Sequence, residues 1–268
     1  MSAPPDEQVK AGIIARDAIL LGKKLIKSEV EKNEFISLEK IDSEIESFVR
    51  DNGATPALKG YKPPFSNDTY QHATCICIDN DVTHGVPSRH KVAVCDSIVT
   101  IDLVVNFSGW HADTARSFIA YHDSSCLKNH FVTTCESIFE LIRCRVKPGM
   151  TLFDFTKSCM TTKAYMNKNL SLCYEYCGHG IGKIIHDRPN ISFTYPSNRT
   201  QQVEVAHRDI NVCFESGKAY AIEPIFFNGP KYELYDDQDG WTVKSNRLAC
   251  HFEDTIHVGD QGIYNITS

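Results

Sequence analysis

Ser97-Ile98-Val99-Thr100-Ile101-Asp102-Leu103-Val104-Val105-Asn106, continued after Phe107-Ser108-Gly109 by Trp110-His111-Ala112-Asp113-Thr114-Ala115-Arg116, decides the architecture of this chain. The first run is β-branched and alternating, the pattern of a strand. Gly109 lies in the turn that follows, so Asp113 falls on the adjacent strand and a hairpin brings its carboxylate to that of Asp102. Held together without a cation, such carboxylates repel and one takes up a proton, whereas divalent ions relieve the repulsion. The hairpin therefore reads as part of a metal site carried on a rigid scaffold.

Outward from the hairpin, Thr74 to Ile78 and Arg116 to Tyr121 have the same strand character, and strands are expected again around Glu223, from Trp241 to Lys244 and from Glu253 to Val258. Val9, Ile13, Ala15, Leu20 and Leu21 recur close to helical spacing between Asp6 and about Leu25, as do Ile41, Ile45, Phe48 and Val49 between Ser37 and Val49. Asp51-Asn52-Gly53 stops the second of these helices, with Gly available for a left-handed terminus. Asn129 to Cys144 and Leu152 to Asn167 read as two further helices separated by Pro148-Gly149. Pro56 to Ser66, rich in Pro, Gly and aromatics, is expected to be an ordered loop, and the polar stretch Pro196 to Glu215 a surface insertion. Strands, then helices, then strands again give a mixed α/β (α+β) layer fold with helices backing a sheet. Residues 1–50 are expected to form helices packed on a catalytic region at 51–268, as a single domain overall.

At 268 residues, with 42% apolar and 23% charged side chains, the chain can bury a substantial core and has the composition of a soluble globular protein. A net charge of -6 gives no electrostatic reason to expect nucleic acid or an anionic membrane as a partner. No run is apolar for the length of a membrane span, and the N-terminal residues lack the pattern of a signal peptide, so a cytoplasmic location is expected. The eleven cysteines are odd in number and lack the double Cys-x-x-Cys arrangement of a structural zinc site. In a reducing compartment they read mostly as buried free thiols acting as small hydrophobes.

Asp102, Asp113, His179, Glu223 and Glu253 together form the ligand inventory of a carboxylate-rich pair of metal ions that activates water for hydrolysis. Each alone has a plainer reading: a strand aspartate is commonly a turn or capping residue, and the Glu223-Pro224 pair can end a strand on an exposed carboxylate. Gly178-His179-Gly180-Ile181-Gly182-Lys183 is one residue short of a phosphate-binding loop, and no Ser or Thr follows the Lys.

Five motifs in fixed order add a second line of argument: Thr100-Ile101-Asp102-Leu103, Gly109-Trp110-His111-Ala112-Asp113-Thr114-Ala115-Arg116, Cys177-Gly178-His179-Gly180-Ile181-Gly182, Ala221-Ile222-Glu223-Pro224 and Phe252-Glu253-Asp254-Thr255. With His84 and His186, they resemble the type I methionine aminopeptidases of peptidase family M24, from about residue 5 to about residue 260. The resemblance implies the pita-bread fold, two pseudo-symmetric halves, each with helices outside a curved antiparallel sheet, and a site between them. It implies two divalent ions (cobalt, manganese, iron or zinc), with Asp102 on one, His179 and Glu223 on the other, and Asp113 and Glu253 bridging. By the same resemblance His186 donates toward the substrate carbonyl, His84 contacts the scissile amide nitrogen, and Glu223 passes protons. Tyr61, Phe65, Cys75 and Trp241 are the implied methionine pocket.

The implied activity is removal of N-terminal methionine from nascent or new proteins whose second residue is small, by a monomer with the ribosome as a possible partner. Met1-Ser2 is itself a substrate type for this activity, so a mature chain beginning at Ser2 is expected. A proline-directed peptidase of the same fold and a catalytically silent binding protein are the alternatives; the silent form would usually have lost metal ligands, and none is missing. The chain departs from the family pattern at Asp187-Arg188-Pro189, at Ser216-Gly217 and at His251-Phe252-Glu253-Asp254, where Gln-Phe-Glu-His is usual. His111, His207, His251 and His257 are read as structural or surface residues.

Overall fold

The computed structural model describes residues 2–32, 36–63, 68–121, 127–167, 169–195 and 209–268. Its helices are α1 (Asp6–Glu31), α2 (Leu38–Asp51), α3 (Leu127–Arg143) and α4 (Leu152–Met166). The strands of the first half of the chain are β1 (Thr55–Pro56), β2 (Cys75–Ile78), β3 (Asp81–Thr83), β4 (Ile98–Phe107) and β5 (Trp110–Ile119). Those of the second half are β6 (Ser171–Leu172), β7 (Gly178–Ile181), β8 (Asp187–Ile191), β9 (Ala219–Ile222), β10 (Ile225–Phe227), β11 (Leu234–Asp236), β12 (Val243–Ser245), β13 (Ala249–His251), β14 (Glu253–Val258) and β15 (Ile263–Asn265).

Ser108 (φ 52°) and Gly109 (φ 83°) both take the left-handed conformation that a two-residue hairpin turn demands, and β4 and β5 pair in register from Ile98↔Ile119 to Phe107↔Trp110. The expected strand from Arg116 is thus the second half of a longer one that begins at Trp110. Alternation along β4 sends Val99, Ile101, Leu103 and Val105 into an apolar core shared with Ile14, Ile41 and Ile45 of α1 and α2, and leaves Thr100, Asp102 and Val104 on the other face. Gly22 permits this packing, because a Cβ there would lie 2.7 Å from Ile101 and 2.8 Å from Ile45. α2 is capped by Ser37, whose hydroxyl accepts from the Lys40 amide at 3.3 Å, and it ends at Asn52 before Gly53 (φ 73°) as its sequence suggests. α1 runs past Leu25 to Glu31.

The nine-stranded antiparallel sheet follows the order β1-β4-β5-β14-β9-β7-β8, with β2 also on β4 and β15 also on β14. α3 and α4 bury a second core against it, in which Phe139, Ile142 and Phe155 meet Phe193, Phe214, Ile222, Phe252 and Ile256. Two helix pairs, each on its own core and both backing one curled sheet, realise the two-halves arrangement. Asp254 ties α3 to the sheet: its fully buried carboxylate pairs with Arg116 of β5 (2.5 Å) and Arg143 of α3, and accepts from Thr267 (2.7 Å) and Asn265 (2.8 Å).

Of the polar stretch taken as a surface insertion, 196–208 lies outside the described residues. The remainder is anchored: Phe214 is buried against Phe155, and Asp209 accepts from Asn190 N (2.9 Å) and Arg188 (3.2 Å). The ten described cysteines are free thiols, six of them buried. Among the described residues, no helix is long and apolar enough to cross a membrane.

Candidate metal centre

Register places the carboxylates before any side chain is considered. Cys75 stands opposite Asp102, Asp102 opposite Ala115, and Ala115 opposite Glu253, so one row crosses β2, β4, β5 and β14 with all four side chains on one face. Glu223 extends that row, since it follows Ile222, the partner of Asp254. The neighbouring row runs from Asp113 through Thr255 and Ala221 to His179: Thr255 Oγ1 accepts from Asp113 N (2.8 Å) and donates to Asp113 O (2.9 Å), while Ala221 pairs with both Thr255 and His179. Ala115, Thr255 and Ala221 supply the small side chains between the ligand groups.

Gly-His-Gly at 178 to 180 is strand β7, not a phosphate loop. A Cβ on Gly178 would sit 2.3 Å from Ala221 O, and one on Gly180 would sit 2.3 Å from Arg188 O. Only glycines let β9 and β8 close around His179. His179 Nδ1 donates to the Gly180 carbonyl at 2.9 Å, which leaves the Nε2 lone pair pointing at the acids. Nε2 lies 3.3 Å from Glu223 Oε1 and 3.9 Å from Asp113 Oδ2.

Three overlapping groups result, each with ligand atoms within 4.8 Å of one another: Asp102, Asp113 and Glu253; His179, Glu223 and Glu253; and Asp113, His179 and His186. Among the described residues, Asp113 Oδ1 and Glu253 Oε1 are buried with no hydrogen-bond partner. Burial pushes the Asp102 carboxyl up to about 7. Burial first, then the neighbouring acids, pushes Asp113, Glu223 and Glu253 well above the usual carboxylate range. Burial lowers His179 to about 3, so its imidazole is neutral and able to ligate. Orphaned oxygens, acids that resist ionisation together and a neutral imidazole fit divalent cations. Oxygen donors with a single strand imidazole suit manganese, iron or cobalt, and zinc at lower coordination.

His186 stacks edge-on against His179 (4.7 Å between ring centres), and its Nδ1 is 2.8 Å from the Tyr61 hydroxyl. His84 takes the left-handed conformation (φ 55°) and is lowered to about 4 by burial, then by His186. Its ring meets Tyr176 edge-on at 5.6 Å. Of the expected pocket, Tyr61 reaches His186 and Cys75 stands opposite Asp102, while Trp241 packs on Tyr70 (5.2 Å). Phe65 lies outside the described residues.

Sequence reasoning passed over three residues here. Tyr70, buried, links Tyr61 to Trp241 and donates to Thr74 O (3.0 Å) and Gly85 O (3.2 Å). Tyr176 forms the wall beside His84. His251, taken for structural or surface, is buried with Nε2 at 3.7 Å from Glu223 Oε2; its place two residues before Glu253 was the available signal. His111 is bonded to Asn106 (2.8 Å) and to Gly182 O (2.9 Å).

Metallopeptidase family M24 matches residues 8–260. The chain is 35% identical over 216 residues to a protein from Aquifex aeolicus named methionine aminopeptidase, covering 78% of this chain and 77% of that one. It is 31% identical over 259 residues to the methionine aminopeptidase of Escherichia coli strain K12, covering 96% and 88%. The crystal structure of methionine aminopeptidase from Rickettsia prowazekii superposes with a TM-score of 0.79 at 25% identity, over 97% of this chain and 95% of that chain. Sheet order, paired carboxylate rows and these matches converge: the chain belongs to metallopeptidase family M24, with the pita-bread fold.

Proposed function

We propose that this chain removes N-terminal methionine from new polypeptides whose second residue is small. It would act as a cytoplasmic monomer on free chain ends, including those emerging from the ribosome. The observation that carries the reading is the convergence of Asp102, Asp113, His179, Glu223 and Glu253 into overlapping ligand groups, in a chain whose relatives are named methionine aminopeptidases. Residues 1–50 and 51–268 work as one unit.

Asp102 would hold one ion, His179 and Glu223 the other, with Asp113 and Glu253 bridging. Bound there, the two ions supply Lewis-acid polarisation of a carbonyl and an acidified water. The remaining steps belong to side chains. The Tyr61 hydroxyl lies 2.8 Å from His186 Nδ1; donating there, it would keep the proton of that ring on Nε2, where it can donate to a substrate carbonyl as negative charge develops. Such a preorganised donor contributes about 2.7 to 4 kcal/mol to a transition state. His84, neutral because burial lowers it to about 4, contacts the scissile amide nitrogen. Glu223 carries the proton from the attacking water to that nitrogen. Tyr61, Phe65, Cys75 and Trp241 receive the methionine side chain, with Tyr70 backing them.

Release of free methionine from a Met-Ala-Ser peptide, with and without manganese or cobalt and beside a Glu223→Ala control, tests the proposal. Metal-dependent release that the control abolishes is expected. Cleavage confined to an Xaa-Pro peptide would assign the chain to the proline-directed branch. Folded protein that cleaves neither peptide under any metal would make it a silent binding protein.

A further inference from the structure

We infer that His251 is a positioning residue for Glu223, an assignment that rests on the reading of Glu223 as a metal ligand. The Glu223 carboxylate is bracketed by two imidazoles, one for each oxygen: Oε1 lies 3.3 Å from His179 Nε2 and Oε2 lies 3.7 Å from His251 Nε2. His251 is 3% exposed, and among the described residues its Nε2 is buried with no hydrogen-bond partner. An imidazole N–H shut away from water needs an acceptor, and the outer oxygen of Glu223 is the carboxylate beside it. A small closure of the 3.7 Å gap makes that hydrogen bond, fixes the carboxylate plane and presents Oε1 to the metal side.

The backbone around His251 is built to hold such a donor still. His251 N donates to Ser117 Oγ (2.9 Å), and Ser117 Oγ donates back to His251 O (3.0 Å). Ser117 is bonded in turn to Thr100 of β4 (2.7 Å). On the other side Ile225, two residues after Glu223, pairs in register with His251. The imidazole is thereby referenced both to the hairpin that carries Asp102 and Asp113 and to the segment that carries Glu223. Partners that orient a ligating carboxylate commonly govern metal affinity about 10- to 100-fold.

The test compares manganese binding by calorimetry in metal-stripped parent, His251→Leu and His251→Gln proteins, with the melting temperature of each metal-free form. Gln can set an amide N–H near the position of imidazole Nε2, whereas Leu removes the donor. Affinity should fall about 10- to 100-fold in His251→Leu, with metal-free melting no lower than the parent's, and return to within a few-fold in His251→Gln. If His251→Leu does not fold, His251→Asn, too short to reach Glu223, takes its place against His251→Gln. Parental affinity in the donor-less variant, or equal loss in both variants, overturns the assignment while leaving the metal site intact. A parent protein that takes up no manganese overturns both together.

Discussion

Asp102 and Glu253 face one another across Ala115, in a single row that spans β4, β5 and β14. The methyl group of Ala115, fully buried, is the spacer between two candidate ligand carboxylates. Ala115→Leu should therefore weaken manganese binding at least about 10-fold, and overpacking should cost about 1–3 kcal/mol of stability. Calorimetric titration and urea unfolding of the same preparations check it. A folded variant with parental affinity would mean that this face does not hold the ions.

Tyr61→Phe removes the hydroxyl that sits 2.8 Å from His186 Nδ1 and leaves every carboxylate in place. One neutral hydrogen bond is worth about 1 kcal/mol, so kcat/KM for Met-Ala-Ser should drop roughly five-fold, mainly in kcat. Metal affinity should not change. A loss confined to KM would leave Tyr61 with its place in the methionine pocket alone and remove its role on His186.

Proton linkage gives a prediction with a definite sign. Asp102 is raised to about 7, and Asp113, Glu223 and Glu253 are raised well above their ordinary values. A group raised on folding contributes stability that is full below its unfolded value, about 4, and is lost as pH climbs through the folded one. His84, His179 and His251, lowered to about 4, 3 and 3, work the other way. Their contribution is present above about 6.5, their unfolded value, and lost as pH falls. Above about pH 6.5 only the carboxyl effect remains. Melting of metal-stripped protein should therefore fall between about pH 6.5 and 8, and the stabilisation by manganese should widen across that window. Manganese binding near pH 6.5 should also release protons, seen as a buffer-dependent heat. A gap that narrows with rising pH would contradict the protonated carboxyl cluster.

Asp254 is fully buried between two guanidinium groups, Arg116 and Arg143. Breaking such an arrangement by removing its shared acid leaves Arg116 without its carboxylate and Arg143 with Glu140 alone, and Asp254→Ala should cost about 3–5 kcal/mol. Urea denaturation of the metal-free variant measures it. A loss under about 1 kcal/mol, the range of an exposed pair, would show that the clamp does not tie α3 to the sheet.

The chain announced its hairpin and its candidate ligands through short-range signals. Alternation around Asp102 and the Ser108-Gly109 turn are local, so the face carrying Asp102 and Asp113 could be read without tertiary information. The Asp51-Asn52-Gly53 stop gave the end of α2 in the same way. His251 escaped because its meeting with Glu223 depends on pairing between β10 and β13, strands more than twenty residues apart in the chain. Tyr70 escaped for a related reason, since its contacts with Tyr61 and Trp241 arise from loop packing that has no period. The glycines around His179 were visible, but their purpose was not: only the backbone of β8 and β9 shows what a methyl group would strike.

The helix pairs rest on separate cores, and the junction between the two halves of the sheet, β5 against β14, is bridged by two register pairs, Glu253↔Ala115 and Asp254↔Thr114. Beyond them hydroxyls replace the ladder: Thr255 exchanges two bonds with the Asp113 backbone, and Thr114 donates to Glu253 O at 2.9 Å. Asp102 and Asp113 lie on one side of this line, and Glu253, Glu223 and His179 on the other. The ions that the site would hold are thus rivets along a hinge, and chemistry and mechanical closure share the same few ångströms. A chain stripped of its cations would breathe there first, so amide exchange along β5 and β14 would serve as a gauge of metal loading.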